Sequence, residues 1–176
     1  MQTERILLRR WLDSDAAALY ALASDPELGP RAGWPSHQSV AESLEAIHTY
    51  FNNDCTWAVV LRETQAIVGC VGYHTPEHST IPIEADSAEV GYWMGRPYWN
   101  LGLCTEALRL VIRHCFQEKG YAALWGNHFT DNPASGRVLE KCGFQPMEGE
   151  TTCAKLLVGA QKPVRVWQLT RDNWHK

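Results

Sequence analysis

The chain has 176 residues, which is enough for one domain with a hydrophobic core and too few for two domains of ordinary size. Hydrophobic residues make up 45% of it and charged residues 20%, and these values exclude a disordered, collagen-like or coiled-coil chain. The formal net charge of -4, without a face rich in lysine and arginine, excludes nucleic acid as a general partner. We therefore expect residues 1–176 to form a single domain.

The six cysteines and the N-terminus both indicate a cytoplasmic protein. No Cys-x-x-Cys pair occurs, and several of the cysteines lie in apolar stretches, as free thiols do in a reducing compartment. The first residues lack the basic and then apolar pattern of a signal peptide, and no run of about 18 apolar residues follows. We expect no association with a membrane.

The first half of the chain predicts the order strand, helix, loop, helix. Residues 6–11 form an apolar and basic strand, and a helix is expected over residues 15–23. Residues 29–35 are rich in glycine and proline, which predicts a loop that carries Trp34. The Ser-Val-Ala-Glu sequence after it is a capping box, and it predicts an amphipathic helix over residues 39–52.

The second half predicts strands and helices in mixed order, beginning with a hairpin. Runs with high β-propensity at residues 56–61 and 66–73 are joined by a short polar connection, and a wider loop follows over residues 74–86. Apolar residues at helical spacing predict a long helix from Leu103 that ends at Gly120. The other predicted elements are strands at residues 88–94, 122–129, 144–147 and 164–170 and a helix at residues 133–141. This order predicts an α/β (or α+β) fold, in which helices flank a single sheet.

The stretch from Glu89 to Arg109 predicts a strand, a tight loop and the start of a helix in direct succession. Backbone N–H groups in the first turn of a helix have no partner within it, and they lie at the positive end of the helix dipole. The loop contains a glycine and no acid before Glu106, so these N–H groups can bind an anion. They belong to Leu101, Gly102, Leu103, Cys104 and Thr105.

Two blocks carry a resemblance to a known family. They are residues 98–107 (Tyr-Trp-Asn-Leu-Gly-Leu-Cys-Thr-Glu-Ala) and residues 132–144 (Asn-Pro-Ala-Ser-Gly-Arg-Val-Leu-Glu-Lys-Cys-Gly-Phe), and together they resemble the GNAT superfamily of N-acetyltransferases. The opening residues 3–10 and the Gly-Trp-Pro loop at residues 33–35 resemble its RimJ/RimL-type branch. The resemblance implies a GNAT-like fold, with a single mixed, mostly antiparallel sheet flanked by helices and two central strands that splay apart. It also implies acetyl-CoA as the co-substrate, with its pyrophosphate on the amides of the loop.

The loop departs from the family pattern at three positions. The family commonly has glycine where this chain has Asn100, lysine or arginine where it has Leu101, and glycine or alanine where it has Cys104. Asparagine tolerates a left-handed backbone better than other non-glycine residues, so we expect the turn to form. Without the usual cation, backbone and dipole hold the phosphates, and each exposed charge contact is worth roughly 0.3 to 1 kcal/mol. Arg96 or Arg137 could supply the charge, the second at the 3′-phosphate, and both could equally be solvated surface residues.

Acetyl transfer to an amine needs a base for the amine and an acid for the departing thiolate. Glu89 is the candidate base, because it shares a strand face with Gly91 and Trp93 and the family often has a carboxylate on this strand. The alternatives are an ion pair between Glu89 and an arginine at a strand edge, and deprotonation of the amine through water. The resemblance places Ser135 near the sulfur as the acid, with close packing as the alternative. Asn132 is expected to bind a pantetheine amide, to cap its helix, or both.

The oxyanion that develops in the reaction needs an N–H donor, which we expect from the backbone of Trp93 or Met94. Sequence does not choose between the two. Trp34 and Tyr92 are the expected lining of the acceptor pocket, with ordinary core packing as the alternative.

The sequence therefore predicts an acetyl-CoA-dependent N-acetyltransferase that moves acetyl directly to a primary amine, either a protein N-terminal α-amine or a small amine. The alternative is a GNAT-fold module that binds CoA without turnover. No metal is expected: His74 and His78 are four residues apart, but the proline between them argues against a helix, and no third ligand is evident. We expect a monomer or a homodimer.

Overall fold

The computed structural model describes residues 1–149, 151–152 and 161–174 of the chain. In this part of the chain the strands are β1 (Ile6–Arg9), β2 (Thr56–Leu61), β3 (Ile67–His74), β4 (Ser87–Met94), β5 (Ala123–Phe129), β6 (Gln145–Pro146), β7 (Thr151–Thr152) and β8 (Pro163–Thr170). The α-helices are α1 (Ala16–Ala23), α2 (Leu28–Ala32), α3 (Val40–Ala46), α4 (Leu103–His114) and α5 (Pro133–Lys141). Short 3-10 and π-helical turns lie between or extend them.

The strands form a mixed sheet in the order β1-β2-β3-β4-β5-β8-β6, and β7 also pairs with β8. Neighbouring strands are antiparallel except for β4 and β5, which run parallel. Parallel neighbours need a crossover connection, and this one contains α4. The predicted fold, a mixed and mostly antiparallel sheet flanked by helices, is confirmed.

Both faces of the sheet are covered, so successive side chains of a strand enter two different hydrophobic cores. Along β2, Trp57 and Val59 belong to the core that contains residues of α4 and α5. Ala58 and Val60 belong to the core that contains residues of α1. We refer to these two sides of the sheet as the α4 face and the α1 face.

Strand β4 alternates in the same way, and it lies at the centre of the sheet. Val90 and Met94 are buried in the core of the α4 face, with Tyr92 packed against it. Trp93 packs against the core of the α1 face. Two adjacent residues, Tyr92 and Trp93, therefore present their side chains to opposite sides of the sheet.

Helix α4 confirms the apolar spacing from which it was predicted. Leu103, Ala107 and Val111 are among its buried residues. A π-helical turn, Cys115–Lys119, continues the helix, which ends at Gly120 in the left-handed region with a φ of 78°. Neither α4 nor any other helix of the described residues has the length and apolarity needed to cross a membrane.

The predicted loop over residues 29–35 is wrong in its first part, where the short helix α2 forms. Gly29 and Pro30 both fall in the first turn of this helix, where a proline removes no hydrogen bond. Gly33 ends the helix with a φ of 92°, and Trp34 donates its N–H to the carbonyl of Gly29 at 3.0 Å. Helix α2 thereby fixes the position of Trp34.

Candidate active site

A gap opens between β4 and β5 in the middle of the sheet. The two strands pair over a short stretch, and their last pair is Glu89 opposite Trp125. Beyond it, β4 continues along β3 to Met94, while β5 continues along β8 to Phe129. The central strands therefore splay apart, as predicted. One edge of β4 is left without a strand partner in the described part of the chain.

The backbone groups of β4 that face this gap are those of alternate residues. Gly95 donates its N–H to a carbonyl of β3 at 2.9 Å, so the N–H of Trp93, two residues earlier, is also directed to β3. Met94 faces the other way, and its carbonyl accepts a hydrogen bond from Trp99 Nε1 at 2.6 Å. Of the two predicted oxyanion donors, the N–H of Met94 faces the gap, and alternation adds that of Tyr92.

The loop after β4 turns through two left-handed residues. Asn100 has a φ of 61° and Gly102 a φ of 77°. Asparagine thus adopts the turn that the sequence predicts for it. Helix α4 begins at the next residue and is 12 residues long, so its unpaired N–H groups and its dipole are directed to the space in front of the loop.

A cation from a distant part of the chain, Arg5, lies beside this loop. Arg5 donates from Nη1 to the carbonyl of Leu101 at 3.1 Å and from Nε to Glu106 Oε2 at 2.8 Å. The side chain of Leu101 is exposed. Arg96, one candidate for the missing charge, is instead paired with Asp25 and with a neighbouring glutamate. Sequence reasoning missed Arg5, because it lies 96 positions from the loop residue that it contacts.

A cavity of about 470 Å³ extends from the loop along β4 to the start of α5. The predicted site residues that line it are Tyr92, Trp93, Met94, Gly102, Leu103, Cys104, Thr105, Asn132, Ser135 and Arg137. The predicted residues Glu89, Trp34 and Leu101 are not among its lining residues. The structure thus brings most of the predicted co-substrate residues together in one cavity.

Two further cations line the cavity, and the sequence carried no local signal for either. Arg31 of α2 lies with its guanidinium carbon 5.6 Å from the ring centre of Trp99. Lys141 is the last residue of α5. Together with Arg137, they are the basic residues that line the cavity, and Arg31 also lies 3.7 Å from the carboxylate of Glu27.

Tyr92 and Ser135 form a reciprocal pair inside the cavity. The hydroxyl of Ser135 donates to the phenol oxygen of Tyr92 at 3.1 Å, and the phenol donates to the backbone carbonyl of Ser135 at 2.8 Å. Desolvation raises the pKa of Tyr92 well above its ordinary value. The phenol of Tyr92 therefore keeps its proton at neutral pH.

Asn132 precedes α5 but does not cap it with its side chain. Its Nδ2 donates instead to the backbone carbonyl of Arg31 at 3.3 Å. Asn132 thus occupies the N-cap position before Pro133 that the sequence predicted, without the side-chain capping hydrogen bond. The amide connects α5 to α2 across one end of the cavity.

Glu89 is buried, with 3% of its surface exposed, and both of its carboxylate oxygens accept hydrogen bonds. Its Oε2 accepts from Ser79 Oγ at 2.7 Å and from the N–H of Thr80 at 2.5 Å. Its Oε1 accepts from Thr80 Oγ1 at 2.6 Å and from Asn127 Nδ2 at 2.5 Å. A carboxylate has about four lone-pair sites. Thr80 and Asn127 supply three donors to them, and the one hydroxyl proton of Ser79 is shared between Glu89 and the carbonyl of Ile81, which lies 2.6 Å from Ser79 Oγ. The ion pair with an arginine is not formed, and the role of Glu89 as a base stays a prediction.

Aromatic rings cover the α1 face next to the gap. The rings of Trp34 and Trp93 are 5.8 Å apart in an edge-on arrangement, and Trp93 is 6.4 Å from Trp11. Trp34 also lies 5.3 Å from the ring of His37. Tyr92, which the sequence predicted to line the acceptor pocket with Trp34, lies on the opposite face. The two residues therefore do not share a pocket wall.

Thiol and metal chemistry find no support in this region. Burial raises the pKa of Cys142 to about 11 and also raises that of Cys104, so both thiols are protonated at neutral pH. The cysteines that the structure describes are free. Within residues 1–149, 151–152 and 161–174, no group of three or more His, Cys, Asp or Glu residues is placed to hold a metal ion.

Known proteins share both the sequence pattern and the fold. A sequence profile described as an acetyltransferase (GNAT) domain matches residues 5–145. The N-acetyltransferase YoaA of Bacillus subtilis (strain 168), itself uncharacterised, is 29% identical over 150 residues, which cover 82% of each chain.

Two solved structures resemble the chain over nearly its whole length. A GNAT-family acetyltransferase from Bacillus anthracis has a TM-score of 0.82 at 18% identity, over 98% of each chain. The microcin C7 self-immunity acetyltransferase MccE, solved with acetyl-CoA and AMP, has a TM-score of 0.75 at 20% identity, over 96% of this chain and 93% of that one. At these identities the likeness establishes the shared fold.

Proposed function

Because the chain belongs to the GNAT family of acetyltransferases, we propose that it transfers acetyl from acetyl-CoA directly to a primary amine within a ternary complex. The acceptor is a protein N-terminal α-amine or a small amine. One observation carries the proposal: a single cavity joins the left-handed loop at α4, the unpaired edge of β4 and Ser135. Loop amides suit phosphates and a strand edge suits the amides of pantetheine, so the cavity suits the pyrophosphate and the pantetheine arm of the co-substrate.

The co-substrate would be bound mainly by backbone groups. We assign its pyrophosphate to the N–H groups of Leu101, Gly102, Leu103, Cys104 and Thr105. Arg137 and Lys141 are exposed on α5, where they supply positive charge for the 3′-phosphate. Asn132 lies beside the pantetheine path and would exchange its bond to Arg31 for one to a pantetheine amide.

The reaction would take place between the two sides of the gap. As the amine nitrogen attacks the acetyl carbonyl, the N–H of Met94 or Tyr92 stabilises the oxyanion. The C–S bond then breaks, and the Ser135–Tyr92 pair gives a proton to the thiolate. Glu89 acts on the amine side, either by taking the proton or by orienting the group that takes it. Trp34 and Trp93 line the approach of the acceptor on the α1 face.

The proposed acceptor class rests on the resemblance to one branch of the family. Residues 3–10 and the Gly-Trp-Pro loop support a place in the RimJ/RimL-type branch, whose resemblance implies α-amino groups of ribosomal proteins or small amines as acceptors. In this proposal residues 1–176 act as one acetyltransferase domain in the cytoplasm, as a monomer or a homodimer.

Thermal unfolding with ligands, followed by an activity assay, tests the proposal. We expect acetyl-CoA and CoA to raise the Tm of the full chain, because they bind the folded state only. AMP serves as the control and should raise Tm less, since it lacks pyrophosphate and pantetheine. Thiol release from acetyl-CoA is then measured over a panel of small amines and N-terminal peptides.

The Tm measurement and the thiol-release assay together distinguish an acetyltransferase from a CoA-binding module without turnover. An unchanged Tm at millimolar acetyl-CoA would contradict any role in CoA binding. A higher Tm without thiol release for any acceptor would favour a CoA-binding module without turnover. Asn100, Leu101 and Cys104, which depart from the family pattern, are the residues that motivate this second candidate.

A further inference from the structure

A histidine, His74, lies in the sheet directly beside Glu89. It is the last residue of β3, and the register pairs it with Glu89 of β4, which pairs on its other side with Trp125. Side chains of directly opposite residues in antiparallel strands lie on the same face. The imidazole and the carboxylate therefore share the α1 face, in the row where the gap between β4 and β5 opens.

The imidazole reaches over Gly91, the next residue of β4 on that face. A Cβ built on Gly91 would lie 3.5 Å from His74 Nε2 and 3.9 Å from Cδ2. Apart from the chain neighbours of Gly91, no other atom of the described residues lies within 4 Å of that position. The nitrogen thus borders the space that a glycine leaves open at the start of the gap, and His74 is exposed.

The carboxylate of Glu89 is held in place by hydrogen bonds at both of its oxygens. Its two oxygens already accept from Ser79, Thr80 and Asn127. These partners attach the loop after β3 and strand β5 to the carboxylate. The structure therefore gives Glu89 the contacts of an anchor and leaves His74 as the titratable side chain that borders the open space.

We propose that His74 Nε2 accepts the proton of the acceptor amine and that Glu89 is a positioning residue for this imidazole. The assignment rests on the proposed function. As the amine nitrogen bonds to the acetyl carbon, one of its N–H bonds breaks and the proton passes to Nε2. The C–S bond breaks, and the thiolate leaves with a proton from the Ser135–Tyr92 pair. Water then takes the proton of the imidazolium and returns one to the hydroxyl pair.

Two titratable side chains act on His74, namely Glu89 from β4 and His78 from the turn after β3. Desolvation lowers the pKa of His74 below its ordinary value of 6.5; the negative charge of Glu89 opposes this shift, and His78 adds to it. The imidazole is therefore neutral and able to accept a proton at neutral pH. Activity should fall on the acid side, as the pH drops through this lowered pKa.

The pH profile of kcat for thiol release tests the assignment on three variants of the full chain. His74→Asn should lower kcat about 100-fold and remove the acid limb of the profile. Glu89→Gln should keep the limb but move it to lower pH, because the carboxylate no longer raises the pKa of His74. His78→Gln is the matched control: the limb should move to higher pH, with kcat above pH 7 unchanged.

The rise of Tm with acetyl-CoA shows whether each variant is folded. If the Tm of His74→Asn does not rise with acetyl-CoA, His74→Gln is used in its place. An acid limb that survives in the His74 variant, with kcat within about twofold of wild type, overturns the assignment. A limb lost in Glu89→Gln but kept in the His74 variant also overturns it, in favour of Glu89. If the wild type releases no thiol with any amine, the proposed function itself fails, and the assignment fails with it.

Discussion

The two sides of the β4–β5 gap are built in different ways. On the α4 face, backbone N–H groups and the Ser135–Tyr92 pair line the cavity, which Trp93 borders from the α1 face, and most of the lining comes from residues 92–105 and 132–141. The α1 face brings together Trp34, Glu89 and Asn127 from distant parts of the chain, each in contact with other side chains. The residues of the α4 face come mostly from two continuous segments of the sequence. Those of the α1 face are brought together only when the sheet folds.

This difference corresponds to what each side has to recognise. Phosphates and amides are bound by backbone groups, which many sequences can present once the local conformation is right. An acceptor is selected by the side chains around it. Changes on the α4 face should therefore alter the rate or the KM for acetyl-CoA without changing the preference among acceptors, whereas changes on the α1 face should alter that preference.

Ser135→Ala should have the largest effect on the α4 face. Loss of the hydroxyl leaves the thiolate without its proton donor, so we expect kcat to fall about 100-fold. The ratio of rates for two different acceptors should stay the same, because the hydroxyl bonds to Tyr92 inside the cavity. Steady-state thiol release with both acceptors measures this.

Tyr92→Phe is the companion variant, because it keeps the ring and removes the group that Ser135 contacts. If the two hydroxyls act as a unit, this variant and the double variant should match Ser135→Ala. If each single variant keeps kcat within about threefold of wild type, the pair takes no part in proton transfer.

The α4 face could be predicted because its determinants are neighbours in the sequence. Asn100 and Gly102 set the direction of the loop in which they lie, and the apolar spacing of α4 is itself a local pattern. The same kind of local pattern failed to predict helix α2, because Gly29 and Pro30 indicate a loop unless both fall in the first turn of a helix.

Gly102→Val should have the second largest effect. The residue has a φ of 77°, and a β-branched side chain in the left-handed region costs roughly 1–2 kcal/mol. The loop would relieve this strain by turning its amides away from the phosphates, so we expect the KM for acetyl-CoA to rise about tenfold, with kcat close to wild type. Titration of acetyl-CoA at saturating acceptor measures it.

Gly120→Val is the matched control for this variant. It places the same side chain at a φ of 78° beyond the far end of α4, away from the cavity. Both variants should lower Tm, but only Gly102→Val should change the KM for acetyl-CoA. An equal rise of KM in both would mean that general destabilisation, and not the loop, accounts for the change.

The α1 face could be predicted only in part. Strand alternation identified Glu89, but its four hydrogen bonds depend on how the loop with Ser79 and Thr80 folds and on which strand brings Asn127. The sequence pattern indicated His74 only as a possible metal ligand, together with His78. Its position beside Glu89 follows from the register of β3 and β4, which the sequence pattern of a single strand does not specify.

Arg5→Gln should have the smallest of these effects. Arg5 contacts the carbonyl of Leu101 and covers Glu106, the acid in the first turn of α4. An exposed charge near a helix N-terminus is worth roughly 0.3 to 1 kcal/mol, so we expect the KM for acetyl-CoA to rise about two- to fivefold. The rise should be larger at low ionic strength, since salt screens exposed charges. An unchanged KM at low salt would show that the loop needs no cation.

The double variant Arg5→Gln/Glu106→Gln distinguishes two ways in which Arg5 could act. If Arg5 only neutralises Glu106, removal of both charges should restore the KM for acetyl-CoA to the wild-type value. If the double variant binds as weakly as Arg5→Gln alone, the guanidinium itself attracts the phosphates. In that case Arg5, 96 positions away in the sequence, supplies the cation that is missing at Leu101. The α4 face would then share with the α1 face a determinant that is visible only in the folded structure.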